Sequence, residues 1–367
     1  MKITCTQENL NHALNQVTRI VNQRASLPVL SNILISAEKD RIKIASTDLE
    51  IGICFWIGGK IEEKGAITVP AKIISEFVST CTDKNLKLIS KGTELKIESV
   101  TYKAQITGID ADEFPLIPEI NEKPIAIIKT KTLKTAIPQV LPAVSLDESR
   151  PVLTGVYWQF KEGNIILAAT DSYRLAEKTI TPVKSQKQEP IIVPFKTMSE
   201  IERMLSQTSA EEIEISIAEN QIRVLIGDNC EIISRLIEGA YPDYLQILPK
   251  SFKINTKVDK NELNNGLKMA SLFARESANN INIDFKKDLI EIAAEAAQVG
   301  NIDSKIKVQA EGEETKVSFN VKFFSDGLSV IESDVIYIEV SGSSTPIKIT
   351  DPNSKDFFYI LMPLRTE

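Results

Sequence analysis

Apolar and polar positions along the chain run through three rounds of one pattern. Leu10, Leu14, Val17 and Val21 recur at helical spacing, as do Leu133, Ile137, Val140 and Val144, and then Leu263, Leu267, Ala270 and Phe273. Strand-like runs flank each helix. In the first round they are Met1–Cys5 before it and Val29–Ser36, Arg41–Ala45, Ile51–Ile57 and Gly65–Val69 after it, with Gly58 and Gly59 predicting a hairpin turn. A second helix follows, then strands at Leu86–Ile89, Glu94–Ser99 and Lys103–Gly108, and the third round ends on a strand near Phe357–Met362. Two helices and about eight strands per round give an α+β fold, each helix pair packed on one side of antiparallel sheet.

The second helices carry the clearest internal repeat. Lys72-Ile73-Ile74-Ser75-Glu76, Lys196-Thr197-Met198-Ser199-Glu200 and Lys322-Phe323-Phe324-Ser325-Asp326 begin 124 and 126 positions apart. Each opens alike, with Val69-Pro70, Val193-Pro194 or Phe319-Asn320, a start suited to a helix. A period that long is a domain rather than a solenoid unit. Other matches keep the same phase: Pro28-Val29-Leu30-Ser31-Asn32 with Pro151-Val152-Leu153-Thr154-Gly155, Thr47-Asp48 with Thr170-Asp171, and Phe114-Pro115 with Tyr241-Pro242. The acidic, proline-containing stretch Pro118–Pro124 reads as a linker. The expected division is into three tandem similar domains, 1–121, 122–248 and 249–367.

Ile74, Phe77 and Val78 fall on one helical face, as do Met198, Ile201 and Leu205, and Phe324, Leu328 and Ile331. The lysine two residues before each anchor lies about 160° away, facing outward. For one helix the plain reading is a solvated lysine paired with the acid four residues on; three matched copies point to a shared task.

Composition narrows that task by exclusion. The chain has a net charge of −7, 43% hydrophobic and 25% charged residues, which suits several cores in a soluble protein. Cys5, Cys54, Cys81 and Cys230 form no CxxC pair, and no leader or membrane-length apolar run is visible, so reduced thiols and a cytoplasmic location are expected. The single histidine, His12, reads as a surface residue and excludes a multi-histidine metal site. No GxxxxGK[ST] or GxGxxG loop is present, so neither a nucleotide nor any other cofactor is expected.

An acidic chain that gathers cations on its helices is segregating charge. Lys131, Lys134, Lys268 and Arg275 lie off the apolar stripe of the first helices, Arg203 shares the face of Lys196, and Arg24 and Arg150 follow helices. With Lys72, Lys196 and Lys322 they suit weak, salt-sensitive contacts to phosphates, without base readout. Six helices at ~10 Å spacing would close a ring with a bore of only ~9 Å, whereas twelve would leave ~28 Å. A duplex passes only if two chains close head to tail.

Leu27-Pro28-Val29-Leu30-Ser31-Asn32, Ala169-Thr170-Asp171 followed by Arg174-Leu175, Tyr241-Pro242-Asp243-Tyr244 and the ending Met362-Pro363-Leu364-Arg365 make the whole chain resemble the bacterial DNA polymerase III beta subunits, the sliding clamps. The resemblance implies a non-enzymatic, ring-shaped homodimer of six similar domains. It would encircle duplex DNA without sequence preference, tether the replicative polymerase and other replication and repair proteins, and be opened by an ATP-driven clamp loader. It also implies a pocket between the second and third domains for short, mostly apolar peptides. Carried over by position, its wall is Leu153, Thr170, Ser172, Tyr173, Arg174, Leu175, Pro242 and Ile247, with Asn320, Phe323, Ser344, Pro346, Ile360, Met362, Pro363, Leu364 and Arg365. Lys103, Ala104 and Ile106 would meet Leu272 and Phe273 across the dimer contact. The family usually has glycine and histidine at Ser172 and Tyr173, and Thr366 and Glu367 extend past Arg365, so peptide preference is expected to differ.

Two other readings fit the residues. One is an enzyme using Thr170, Asp171, Tyr173 and Arg174; against it, Thr47-Asp48 repeats the pair without a following tyrosine or arginine, as a structural turn would. The other is a protein-binding repeat scaffold that never encircles DNA.

Overall fold

The computed structural model describes residues 1–21, 27–249, 251–298 and 300–364. The six helices are α1 (Gln7–Val17), α2 (Ala71–Thr80), α3 (Thr130–Val140), α4 (Phe195–Gln207), α5 (Lys260–Ala274) and α6 (Val321–Ser329). Among the described residues one order of elements occurs three times: a strand, a helix, five strands, a second helix and three strands. That is nine strands per round, not eight. The additional one is the short fifth strand, Lys60–Glu63, Lys184–Ser185 or Gln309–Gly312, whose polar composition hides it from any hydrophobic pattern.

The chain forms two compact units, Met1–Thr130 with Arg203–Leu236, and Lys131–Glu202 with Ile237–Glu367. In the first unit one antiparallel sheet runs Lys60–Glu63, Lys2–Thr6, Asn85–Lys91, Glu94–Glu98, Lys103–Thr107. A longer one runs Ala126–Lys129, Glu212–Ala218, Gln221–Ile226, Cys230–Arg235, Ile51–Ile57, Arg41–Thr47, Asn32–Glu38, Gly65–Pro70. In the second unit one sheet runs Gln188–Pro194, Gly155–Lys161, Asn164–Thr170, Arg174–Ile180, Ser354–Leu361, Ile347–Asp351, Val335–Val340, Ile254–Asp259, Gln309–Gly312. The other orders Gly300–Lys307, Leu289–Ala296, Asn280–Phe285, Thr315–Asn320.

One junction is built twice. The last strand of the second round lies antiparallel to the fourth strand of the first, Cys230 opposite Phe55 and Ser234 opposite Ile51. The last strand of the third round lies in the same way on the fourth strand of the second, Arg174 opposite Leu361 and Lys178 opposite Phe357. A glutamine marks each junction. Gln16 at the end of α1 donates to Gln207 Oε1 at the end of α4 (2.7 Å), and Gln139, 123 positions later on α3, donates to the carbonyl of Val330 just after α6 (3.3 Å). Of the last and fourth strands of the three rounds, two among the described residues stay at sheet edges without such a junction: the last strand of the first round, Lys103–Thr107, and the fourth of the third, Gly300–Lys307.

Helix starts follow from caps and breakers. Thr6 accepts from Asn9 N at the head of α1, Asp259 from Glu262 N at α5, and Asn320 from Lys322 N and Phe323 N at α6. Pro70 and Pro194 end a strand immediately before the first helical residue of α2 and α4. α1 packs on α2 and on the strands Arg41–Thr47 and Ile51–Ile57, and α5 on α6 and on Leu289–Ala296 and Gly300–Lys307. The periodic positions Leu10, Leu14 and Val17, Leu133, Ile137 and Val140, and Leu263, Leu267 and Ala270 are buried. Phe273 departs from that stripe. Eleven residues come within about 20° of three full turns, so Ala274 rather than Phe273 continues inward from Leu263, and Phe273 stays half-exposed.

Two further expectations are corrected. Pro28–Ser31 is a 3-10 turn, Leu30 N bonding to the carbonyl of Leu27, so the strand begins at Asn32. Gly58 and Gly59 close no hairpin: Ile51–Ile57 pairs with Arg41–Thr47 and Cys230–Arg235, whereas Lys60–Glu63 pairs with Lys2–Thr6 in the other sheet. Glycine is needed for that crossing, since a Cβ on Gly59 would sit 2.8 Å from the carbonyl oxygen of Thr4.

All four cysteines are buried, and burial pushes the thiols of Cys5, Cys54 and Cys230 up to about 12. His12 is exposed and stands edge-on to Phe55. Among the described residues no helix is long and apolar enough to cross a membrane.

Candidate functional site

Several side chains of the second unit converge on the Thr170–Arg174 turn. Thr170 donates its hydroxyl to the carbonyl of Arg174 (2.6 Å) and accepts from Ser172 N (3.1 Å), while Asp171 Oδ1 accepts from Tyr173 N (2.9 Å) and Arg174 N (3.0 Å). Ser172 takes a positive φ of 78°. The first round has the same turn: Thr47 bonds to the carbonyl of Ile51 and to Leu49 N, Asp48 Oδ1 accepts from Glu50 N and Ile51 N, and Leu49 has φ 79°. Thr-Asp is therefore a turn-building pair whose hydroxyl and one carboxylate oxygen are spent on backbone, and the reading of Thr170 and Asp171 as catalytic has no support in the geometry.

What the second round adds is Arg174 and Tyr173. Arg174 is only 9% exposed and bonds Asp171 Oδ2 through Nε (2.9 Å) and Asp326 Oδ2 through Nη1 (2.5 Å). Burial disfavours its charge, but Tyr359, Asp326 and Asp171 outweigh burial and hold the guanidinium above its ordinary value. Its carbon Cζ lies 4.4 Å from the centre of the Phe323 ring, a cation–π contact. Tyr173, 56% exposed, stacks near Phe323 with ring centres 6.1 Å apart and planes 26° apart. Tyr359 donates its hydroxyl to the carbonyl of Phe323 (2.9 Å), its ring packed where a Cβ on Gly327 would come within 2.6 Å.

The floor is apolar. Leu175 and Ile360 are register partners and cluster with Ala168 and Tyr244, and Tyr157, Tyr241, Leu248 and Phe358 pack around them. Tyr244 donates to Glu177 Oε2 (2.6 Å); burial pushes the Glu177 carboxyl up, and the Tyr244 hydroxyl pulls it partly back. Met362 N bonds to the carbonyl of Tyr173 (2.9 Å) and Leu364 N to that of Ser318 (2.8 Å), which ties the end of the chain to the turn and to the strand before α6. A cavity beside this tie is lined by Ser344, Met362, Pro363 and Leu364 with Asn282, Lys316 and Ser318.

The structure thus joins Thr170, Ser172, Tyr173, Arg174, Leu175, Phe323, Ile360 and Met362 through direct contacts, with Asn320 capping the helix that presents Phe323. Pro346 immediately precedes the strand Ile347–Asp351, which pairs with Ser354–Leu361. Ile247 is exposed on the 3-10 turn Tyr244–Ile247, Pro242 is exposed just before it, and Leu153 is buried at the end of Pro151–Leu153. Arg365, Thr366 and Glu367 lie outside the described residues, as does Arg24. Asp326 joins this set without a signal in the sequence. Its place four residues after Lys322 suggested a helix-surface pair, whereas its carboxylate turns to Arg174.

Lys72, Lys131, Lys134, Lys196, Lys268, Arg275 and Lys322 are exposed. Arg203 is not an outward cation of that kind. It is half-buried and donates to Gln16 Oε1 (3.0 Å) and the Gln16 carbonyl (2.8 Å), because its place near the end of α4 sets it against α1. Arg150 is exposed but bonds Ser172 Oγ at 2.9 Å, on the rim of the turn. At the expected dimer contact Lys103 is exposed, Ala104 half-buried and Ile106 buried, while Leu272 is 52% exposed and Phe273 half-exposed on α5.

Three domain profiles match the chain in order: the DNA polymerase III beta subunit N-terminal domain over residues 1–118, its central domain over 127–243 and its C-terminal domain over 245–365. A beta sliding clamp of Staphylococcus epidermidis is 29% identical over the full length of both chains, as is one of Staphylococcus aureus. The crystal structure of a DNA polymerase sliding clamp from Bacillus subtilis superposes with a TM-score of 0.95 at 30% identity, all of each chain covered. A DNA polymerase III beta subunit from Thermotoga maritima gives 0.93 at 25%, again over both whole chains. The thrice-repeated order of elements, the turn and its arginine, and these full-length likenesses agree: the chain belongs to the DNA polymerase III beta subunit family, the non-catalytic sliding clamps of replication.

Proposed function

We propose that two copies of this chain close head to tail into a ring that encircles duplex DNA and tethers a replicative polymerase, with domains at 1–121, 122–248 and 249–367. The observation that carries the ring is the twice-built junction. If the last strand of each round joins the fourth strand of the round before it, the two strands left over, Lys103–Thr107 and Gly300–Lys307, are the complementary pair a second copy would supply. The helices support the same closure. Met269 stands 130 positions after Gln139, at the place where α1 and α3 bear their junction glutamine, and it is 52% exposed, beside exposed Leu272. The unpaired edge of Gly300–Lys307 and the exposed Met269 and Leu272 on the helix packed against that strand are what a missing neighbour leaves. The interface is heterologous, and the ring closes when a second copy repeats the same contact.

The exposed lysines supply weak phosphate contact while the closed ring supplies retention. In this reading the Thr170–Arg174 turn, Phe323 and the Met362–Leu364 segment receive short apolar peptides of the polymerase, the clamp loader and other partners. Methionine and leucine at such a wall adapt to several sequences. The test is retention on DNA. Once loaded onto a nicked circle, the protein is expected to stay through gel filtration and to be released when the circle is cut. Equal loss from intact and cut circles would leave the scaffold reading instead.

A further inference from the structure

We infer that Cys230 and Met204 form a two-sulfur binding site for a soft monovalent cation, Cu(I), at the end of α4. α4 buries Met198, Ile201, Met204 and Leu205 along one face, and Cys230 opens the last strand of the same round. The Cys230 thiol donates to Met204 Sδ at 3.4 Å, the two residues being 4% and 3% exposed. In the third round the same two places hold Val330, eight residues after Lys322 as Met204 is after Lys196, and Phe357, opposite Lys178 as Cys230 is opposite Phe55. Sulfur at both places is therefore particular to the second round and is not a need of the fold.

The spacing suits one shared ion. At a metal–sulfur distance of about 2.3 Å, two sulfurs reach the same ion when they stand within about 4.6 Å of each other, and these two are closer. The unbranched thioether of Met204 can turn to widen the angle between them. Both side chains line a cavity of about 400 Å³ together with His12, Phe55 and Gln207, which gives an ion a way in to sulfurs that are otherwise covered. The donor set selects the ion. Thiolate and thioether suit Cu(I), and among the described residues no three of histidine, cysteine, aspartate and glutamate come together as a harder divalent ion would need. As the ion binds, the Cys230 S–H gives its proton to solvent and the sulfur forms the bond to metal. The thiolate then cancels the single charge of Cu(I), so no net charge is buried.

The test titrates the full-length protein, reduced and free of oxygen, with Cu(I) supplied from a coloured chelator whose loss of colour reports transfer. The wild type is expected to take one ion per chain at this site, and Met204→Leu and Cys230→Ser each to weaken that binding by at least about 10-fold. Met204→Leu decides the matter, because it keeps the thiol and nearly the same volume, and a thiol acting alone would not register the loss of a neighbouring thioether. Binding as tight in Met204→Leu as in the wild type would overturn the inference, as would a wild type that takes no more Cu(I) than Cys230→Ser. If Cys230→Ser fails to fold, Cys230→Ala takes its place. Cu(I) is also expected to raise the melting temperature of the wild type and of neither variant, since the ion fastens α4 to the strand Cys230–Arg235; an equal rise in all three would overturn the assignment to these sulfurs.

Discussion

Arg174 shows how much one side chain settles. It is buried, it joins carboxylates from two elements far apart in sequence, and it supports the ring of Phe323. Removing one partner of such a group leaves charge without compensation, so Arg174→Ala is expected to cost about 3 kcal/mol in denaturant unfolding and to weaken peptide binding with it. Asp171→Asn retains an acceptor for both turn N–H groups and is expected to keep the turn. Glu177 makes a prediction of opposite sign. Its carboxyl is held above its ordinary value by burial, so the stability it contributes is complete below the unfolded glutamate value of about 4.3 and is lost as pH rises through the raised folded value. Glu177→Gln still offers Tyr244 an acceptor and is expected to flatten the fall in melting temperature across that window. A variant that melts with the same pH dependence as the wild type would refute this assignment.

At the scale of elements, the proposed assembly turns on the α5 face. α1 and α3 each place a glutamine against the end of the next round's second helix, while α5 presents Met269, Leu272 and Phe273 to solvent. Charging Leu272 and Phe273 together, as Leu272→Asp with Phe273→Asp, is expected to give folded monomers in sedimentation, because both side chains lie off the buried stripe that ends at Ala274. A dimer surviving at micromolar concentration would refute that placement. The same face shows where periodicity reads correctly and where it slips by one residue. It marked α5 as a helix, but only the turn count separates Phe273 from Ala274. The short fifth strands escaped notice altogether, since four residues such as Lys60–Glu63 acquire strand geometry from their partner Lys2–Thr6 and not from their own composition.

For the whole molecule, the proposed function divides the work between charge and topology. Replacing Lys72, Lys196 and Lys322 with glutamate is expected to make the salt dependence of DNA binding shallower, by about one unit in log–log slope for each of these lysines that neutralises a phosphate. The ring itself should persist, because none of these lysines belongs to Lys103–Thr107, Gly300–Lys307 or α5. An unaltered slope would place the DNA-facing surface elsewhere. Arg203 is not among the residues to test this way, its guanidinium being engaged by Gln16.

By itself the sequence determined the threefold order of elements, the outward lysines and the Thr-Asp turn, because each depends on residues close along the chain: helical periodicity, a cap, a side chain bonding its own backbone two or three positions on. Only the tertiary structure decided that Gly59 lets the chain change sheets, that Asp326 belongs to Arg174 rather than to Lys322, that Arg203 is spent on Gln16, and which two strand edges are left over. Those outcomes depend on what stands opposite a residue from a hundred or more positions away, or across a sheet, and local pattern carries no record of that.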